Sequence, residues 1–238
     1  MDGIQGRRRT WRLAASLLLA GVAASILAGV FHAESHDAND HVASFTAYAE
    51  SGVWTAVHLG QFIGMALVCA GLVALWPAVD IQRHAVSWTA RFGVLSAAAA
   101  LALYAALQAV DGVALKQAVD AWAAAPEPEK PARFATAEGI RWLEWGMRSY
   151  QNFLLGTALV LLGVVVAAAR DVSRMIGYLM ALSGLAYLAQ GWIIGVSGFS
   201  AANTLPTLVG IVAILAWTVW LLVSALRMKE AAPAGHMG

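Results

Sequence analysis

The chain has 238 residues, of which 60% are hydrophobic and only 12% are charged, and its mean hydropathy is +0.68. This composition lies outside the range of soluble globular domains and is typical of a polytopic membrane protein in a lipid bilayer. The net charge is +1 and no basic stripe is interleaved with aromatic residues, so we expect no nucleic-acid partner. The single cysteine, Cys69, excludes an internal disulfide and a cysteine-based zinc site.

Six apolar segments are long enough to cross a hydrocarbon core of about 30 Å as helices. We predict an all-α fold, a single six-helix transmembrane domain over residues 1–228, and a disordered tail, 229–238. The uncharged stretch between Arg174 and Arg227 is too long for one crossing, and the Gly, Ser, Asn and Pro residues of GVSGFSAANTLP divide it. The predicted spans are about 13–31, 53–77, 92–112, 149–169, 175–196 and 207–225.

Two long connections, 32–52 and 113–148, are predicted on the same face of the membrane. In the first, Asn39 or Asp40 is suited to cap a short helix. In the second, the segment PEPEKP (126–131) cannot continue a helix and is predicted to be an exposed turn. An amphipathic helix then runs into the fourth span, with charged residues spaced by three, three and four along one stripe. These residues are Glu138, Arg141, Glu144 and Arg148.

Lysine and arginine are distributed unequally between the two faces. Ten lie on the face that holds both termini, and five lie on the face that holds the two long connections. Ten of the fourteen acidic residues lie on the latter face. Because cytoplasmic loops are enriched in Lys and Arg, we predict that both termini are cytoplasmic and that the two long connections face outward.

A layer of polar residues is predicted near the outer ends of the helices. His58 lies inside the second span, and by helical rise its depth is close to that of Asp111 on the third. The other members of the layer are Gln61, Gln108, Glu144, Arg148, Gln151, Asn152 and Gln190. Two interpretations are open: an outward-facing pocket for a small polar ligand, a lipid headgroup or a metal, or a hydrogen-bonded network that fixes how the helices align.

Histidines in the first connection suggest a second kind of site. His32, His36 and His41 are spaced by four and five residues, with three acidic residues among them. Neutral imidazoles at this spacing on a helix could bind a divalent transition metal, which is the cofactor that the sequence allows. A solvated polar loop with a helix cap explains the same residues, so both interpretations stay open.

Two GxxxG pairs indicate close helix packing: Gly60 with Gly64, and Gly191 with Gly195. Each pair is consistent with packing inside the bundle or with an interface to a second copy or another membrane protein. None of the six spans carries an ionisable residue at its midplane, where proton pumps and voltage sensors need one. Those two classes are therefore disfavoured.

The strings HDANDH, YAESGVWTAVHLGQF, AVDGVALKQAVDAW and EGIRWLEWG follow one another along the chain. Together they resemble an uncharacterised family of small bacterial inner-membrane proteins, classed as a domain of unknown function. The similarity covers nearly the whole chain. It implies a bacterial six-helix membrane protein and carries over no catalytic residue, because that family has no established activity.

The expected function is that of an integral inner-membrane protein whose polar pocket binds a ligand, a lipid or a partner. One alternative is a membrane-embedded, metal-dependent enzyme that uses the outer histidines. Separately, His58 near Asp111 could form an acid and base pair. Because no nucleophile is identifiable, the sequence leaves open whether the protein is an enzyme. The other alternative is a structural subunit of a larger membrane complex.

Overall fold

Eight α-helices account for most of the computed structural model, which describes residues 2–32, 37–79 and 84–228. A π-helical segment, Val110–Leu115, joins α4 to α5, and a short 3-10 turn, Ala201–Asn203, precedes α8. The helices are α1 (Asp2–Val30), α2 (His41–Glu50), α3 (Trp54–Ala78), α4 (His84–Ala109), α5 (Lys116–Ala123), α6 (Lys130–Ala168), α7 (Arg174–Ser197) and α8 (Thr204–Arg227).

Six helical segments are long and apolar enough to cross a membrane. This confirms the predicted fold class, an all-α, six-helix membrane protein. The segments are Gln5–Val30, Trp54–Ala78, Val86–Ala123, Lys130–Ala168, Arg174–Ser197 and Ala201–Arg227. The third and fourth are much longer than the spans predicted for them, 92–112 and 149–169, because each continues as helix into the connection 113–148.

The six membrane-crossing segments are arranged as a closed ring. Each packs against the next in chain order, in the sequence α1, α3, α4, α6, α7 and α8, and α8 packs against α1. Small residues allow the closest approaches: a Cβ added to Gly163 on α6 would lie 2.7 Å from the carbonyl oxygen of Gly177 on α7. The larger apolar cluster, which includes Trp11, Leu72 and Leu159, fills the interior of this ring.

Both GxxxG pairs contact another helix of the same chain. Gly60 and Gly64 face α1, with a Cβ on Gly60 falling 3.2 Å from that of Ala28. Gly191 and Gly195 face Ser149 on α6, whose hydroxyl donates a hydrogen bond to the carbonyl of Gly191 at 2.7 Å. These glycines therefore serve intramolecular packing.

A helical cap covers one end of the ring, and it consists of α2, α5 and residues 130–148 of α6. At 1.5 Å per residue, the 39 residues of α6 extend about 58 Å, roughly twice the thickness of a hydrocarbon core. The cap has its own small apolar cluster, in which Phe45 and Tyr48 of α2 pack with Val119 of α5 and Ala137 of α6. The connection 113–148 is thus mostly ordered helix.

Short polar contacts attach α2 to the rest of the chain. Asp40 caps α2, as its carboxylate accepts a hydrogen bond from the Ala43 amide at 3.1 Å. Asn39 donates from Nδ2 to the carbonyl of Ser197 at 3.0 Å, and Lys116 donates to the carbonyl of Ala49 at 3.1 Å. The first connection therefore lies across the ends of α5 and α7.

Candidate functional site

A cavity of about 470 Å³ lies at the capped end of the ring. All six membrane-crossing segments contribute residues to its wall, from Gly29 near the end of α1 to Ile211 on α8. Its lining combines apolar side chains with amides, carboxylates and guanidinium groups. The lining residues are Gly29, His32, Gln61, Leu107, Gln108, Asp111, Arg141, Glu144, Arg148, Gln190, Ile194, Phe199, Asn203, Thr207 and Ile211.

Asp111 lines this cavity, and His58 contacts Asp111 from behind it. His58 Nε2 on α3 lies 3.0 Å from Asp111 Oδ2, which the π-helical segment carries. The other ring nitrogen of His58, Nδ1, lies 2.8 Å from the carbonyl oxygen of Trp54. Because a carbonyl can only accept, Nδ1 carries the proton in this hydrogen bond. The hydrogen bond to the Trp54 carbonyl fixes the orientation of the imidazole ring.

The π-helical segment explains how Asp111 reaches this position. Two backbone carbonyls of this segment accept hydrogen bonds from side chains at the start of α3. Trp54 Nε1 donates to the carbonyl of Asp111 at 2.9 Å, and the Thr55 hydroxyl donates to that of Gly112 at 2.9 Å. Gly112 permits this approach, since a Cβ there would lie 2.6 Å from the Cβ of His58.

His32 joins the same pair from the end of α1. The ligand atoms of His32, His58 and Asp111 all lie within 4.8 Å of one another. The ring centroids of the two histidines are 5.2 Å apart, and the indole of Trp54 lies 4.8 Å from His32. The structure thus gathers two imidazoles and one carboxylate from three separate elements, and an aromatic side chain packs against them.

A buried ion pair connects the cap to the cavity. Arg141 Nη1 lies 2.5 Å from Glu144 Oε2, and their side chains are only 2% and 3% exposed. The Arg141 guanidinium also lies over the rings of Phe199 and Tyr48, at 5.1 and 5.5 Å from their centroids. Arg148, about two turns beyond Arg141 on α6, lies 5.6 Å from the ring of Tyr104. Both arginines are therefore positioned by aromatic rings as well as by charge.

The amide side chains of the wall make few hydrogen bonds. Gln108 Nε2 donates to Gln61 Oε1 at 3.4 Å, and Gln190 Nε2 donates to the carbonyl of Pro206 at 3.4 Å. Three buried acceptor oxygens on lining residues have no hydrogen-bond partner among the described residues. They are Asp111 Oδ1, Gln108 Oε1 and Asn203 Oδ1.

The predicted polar layer is distributed unequally over the site. Three members are buried and do not line the cavity: His58, which contacts Asp111, and Gln151 and Asn152 on α6. Six members line the cavity directly: Gln61, Gln108, Asp111, Glu144, Arg148 and Gln190. Binding of a ligand by these residues remains a prediction.

The three predicted metal ligands are not brought together as one set in the described residues. His32 lies with His58 and Asp111. His41 Nδ1 instead lies 2.8 Å from Glu138 Oε1, and its ring stacks on Phe45 at 5.5 Å. His36 lies outside the described residues. The spacing of histidines in the first connection predicted that His36 and His41 would accompany His32. In the described residues, the side chains beside His32 are instead those of His58 on α3 and Asp111 on the π-helical segment.

Several lining residues were not assigned from sequence. Arg141 was placed on the charged stripe of α6 without a role, Phe199 and Asn203 were interpreted only as part of a helix break, and Thr207 was predicted only as the start of the sixth span. One signal could have found them. The break between the fifth and sixth spans lies at the same end of the bundle as His58, so its polar residues face the same layer.

Comparison with curated proteins finds no match, and comparison with solved structures finds none either. One family model does match, over residues 13–225, a range that includes nearly all of the six membrane-crossing segments. This match confirms the resemblance seen in the sequence. The chain therefore belongs to DUF4386, a family described as a domain of unknown function.

Proposed function

We propose that this protein is a multi-pass binding protein of the bacterial cytoplasmic membrane, and that its cavity holds a small polar ligand. The observation that carries the proposal is the cavity of about 470 Å³ that all six membrane-crossing segments line. Ligand sites in proteins have volumes of about 300–1,000 Å³ and combine apolar walls with a few polar groups. Binding, with no chemical change required, is the function this arrangement supports best.

The chemistry of the wall favours a ligand that carries hydrogen-bond donors. The unpartnered acceptors on Asp111, Gln108 and Asn203 are buried, but their residues line the cavity, and rotation of these side chains would bring each oxygen to a hydroxyl or ammonium group of a ligand. Buried acceptors left without a donor cost about 1–3 kcal/mol each, so such a ligand would offset that cost. The apolar side chains of Leu107, Ile194 and Ile211 suit an attached hydrocarbon portion.

The distribution of positive charge supports an orientation for the site. Ten lysines and arginines lie on the face of the two termini, against five on the face of the cap. By the positive-inside rule, the termini would be cytoplasmic and the cap would face outward. The ligand would then enter from the periplasmic side or from the outer leaflet of the membrane.

The two other interpretations have less support. A purely structural polar layer would be expected to satisfy its own hydrogen bonds, which the three acceptors above do not do within the described residues. A subunit that assembles through its glycine pairs would need those faces free, yet both pairs pack inside the chain. The metal-dependent enzyme stays the second candidate, because His32, His58 and Asp111 meet at the cavity.

The test uses a substitution that fills the cavity without disturbing its wall. Gly29 lines the cavity, and a Cβ added to it would meet no atom within 4 Å. Gly146, which is exposed on α6 and equally open, provides the matched control. We expect native mass spectrometry of protein in lipid nanodiscs to detect a co-purified small molecule in the wild type and in Gly146→Leu, but not in Gly29→Leu.

Two results would contradict the proposal. One is a wild-type protein that carries no small molecule and takes none up from a lipid and metabolite extract of its host membrane. The other is a Gly29→Leu variant that retains as much of the adduct as Gly146→Leu does, with the same thermal unfolding midpoint.

A further inference from the structure

We infer that His32, His58 and Asp111 form a binding site for a divalent first-row transition metal. This inference goes beyond the proposed ligand cavity, because it requires only these three side chains and the groups that orient them. The three donor atoms lie within 4.8 Å of one another and come from the end of α1, from α3 and from the π-helical segment. Two imidazoles and one carboxylate are donors that Zn²⁺, Fe²⁺, Co²⁺ and Ni²⁺ accept.

The protonation of His58 gives the strongest argument. Its Nδ1–H donates to the carbonyl of Trp54, so in the neutral ring the lone pair on Nε2 faces Asp111 Oδ2 across 3.0 Å. Nε2 makes no aligned hydrogen bond with the described residues. Two acceptor atoms this close repel each other unless a cation or a second proton lies with them. A metal ion would be bound by both atoms at once.

The surroundings of the three side chains match the support that metal sites require. Metal-binding histidines generally donate their other ring N–H to a carbonyl or carboxylate, which fixes the tautomer and the ring orientation. Trp54 supplies that carbonyl to His58, and its Nε1 donates to the backbone of Asp111 at 2.9 Å. Its indole also lies 4.8 Å from the ring of His32. One residue thus positions all three ligands.

The spacing of the donors fits a metal after an adjustment of one side chain. In a tetrahedral zinc site with bonds of about 2.0–2.2 Å, two donors lie about 3.3–3.6 Å apart. His58 Nε2 and Asp111 Oδ2, at 3.0 Å, are already close to this spacing. Donors up to 4.8 Å apart must close by at most about 1.5 Å, which rotation of the side chain of His32, a residue outside any helix, would supply.

The identity of the donors narrows the choice of metal. One carboxylate and two imidazoles are too few oxygens for Ca²⁺ or Mg²⁺, which prefer oxygen ligands. Cys69 is not part of the cluster, so a thiolate-selecting ion such as Cu⁺ is disfavoured. Three protein ligands would leave a tetrahedral ion one open position, and His32 and Asp111, two of the three ligands, line the cavity.

The experiment measures Zn²⁺ binding to the full-length protein, prepared without a histidine tag, treated with a chelator and placed in nanodiscs. Competition with a chromophoric chelator should give about one tight site per chain. We expect Asp111→Asn and His58→Gln each to raise the dissociation constant at least tenfold, and His32→Gln to do the same. His41→Gln, the matched control, should leave it unchanged, because His41 pairs with Glu138.

Cobalt provides an independent readout. Co²⁺ bound by these three ligands should give the intense visible absorption of a tetrahedral site in the wild type and in His41→Gln, but not in Asp111→Asn. Asp111→Glu keeps a carboxylate and should restore part of the affinity that Asp111→Asn loses. His32 is only partly buried, so His32→Gln keeps the question decidable if substitution of His58 prevents folding.

Three outcomes would overturn the inference. The first is a wild-type protein that binds less than one-tenth of an equivalent of Zn²⁺, which would leave a second proton as the occupant between His58 and Asp111. The second is zinc binding that none of the three ligand variants weakens. The third is zinc binding that is lost in His41→Gln but unchanged in His58→Gln, which would favour the ligand set suggested by sequence spacing. Each is measured separately from the small-molecule adduct that tests the cavity.

Discussion

Gly112 is the residue at which one added methyl group tests the geometry of the whole site. In Gly112→Ala the new Cβ would lie 2.6 Å from the Cβ of His58 and 3.0 Å from its Cγ. Ordinary contacts begin at 3.4 Å, so His58 or the π-helical segment must move by about 0.8 Å. If the imidazole moves directly away from Asp111, the 3.0 Å separation of Nε2 and Oδ2 grows beyond hydrogen-bond distance.

The cost of this movement can be separated from the general effect of replacing glycine in a helix. Alanine gains about 1 kcal/mol over glycine in a helix interior, whereas overpacking a closely packed interior costs about 1–3 kcal/mol. Gly146→Ala on α6 should show the gain alone, because a Cβ there meets no atom within 4 Å. We therefore expect Gly112→Ala to be about 1–3 kcal/mol less stable than Gly146→Ala.

Stability would be compared by steric trapping or by denaturant titration in the same nanodiscs. Zinc affinity, measured in the same samples, should fall at least tenfold in Gly112→Ala, because ligand distances in a bound site lie within about 0.2 Å of standard values and the displaced imidazole would have to move back against the new methyl group to reach the ion. Equal stability of the two variants, together with wild-type zinc affinity in both, would refute the close contact between His58 and Gly112 and with it the arrangement of the site.

Two further predictions concern the ion pair and the topology. Glu144→Gln removes the carboxylate that pairs with the buried Arg141 and keeps the shape of the side chain, so we expect the free energy of unfolding to fall by about 3–5 kcal/mol. The double variant Arg141→Met/Glu144→Leu should regain most of this loss, because it leaves no unpaired buried charge. An unchanged unfolding midpoint in Glu144→Gln would contradict the prediction. In a Cys69→Ala background, a membrane-impermeant thiol reagent added to intact cells should label Glu127→Cys, in the turn between α5 and α6, and should not label Arg170→Cys at the other end of the bundle. The reverse pattern would overturn the proposed orientation.

Heights along the helix axes could be predicted from the sequence, because a membrane aligns its helices. Counting residues from the ends of the apolar segments placed His58 and Asp111 at a similar depth, and the structure brings them to 3.0 Å. The membrane class and the six helices follow from apolar length alone. These features depend on properties that a single segment carries.

The order of helices around the ring and their rotations could not be predicted in the same way. Whether His32 lies beside His58 depends on how α1 packs against α3, and that packing is set by glycine contacts such as Gly21 against Gly64. The π-helical segment that directs Asp111 inward has no sequence signature of its own. His41 was grouped with His32 by spacing, yet α2 turns it toward Glu138. Contacts between distant segments decide each of these cases.

The contact that closes the ring also sets an order of events during synthesis. Arg12 near the start of α1 donates hydrogen bonds to the carbonyls of Ala225 and Leu226 at the end of α8, residues more than two hundred positions later. Ribosomes add about 5–20 residues per second, so the first helix would wait about 10–40 s in the membrane for its last partner. During that interval the cavity lacks the wall that Thr207 and Ile211 provide, and polar side chains such as Gln61 and Gln108 have no completed interior to face. A chain that ended before α8 would leave these groups exposed to the lipid, where an unsatisfied polar group costs several kcal/mol.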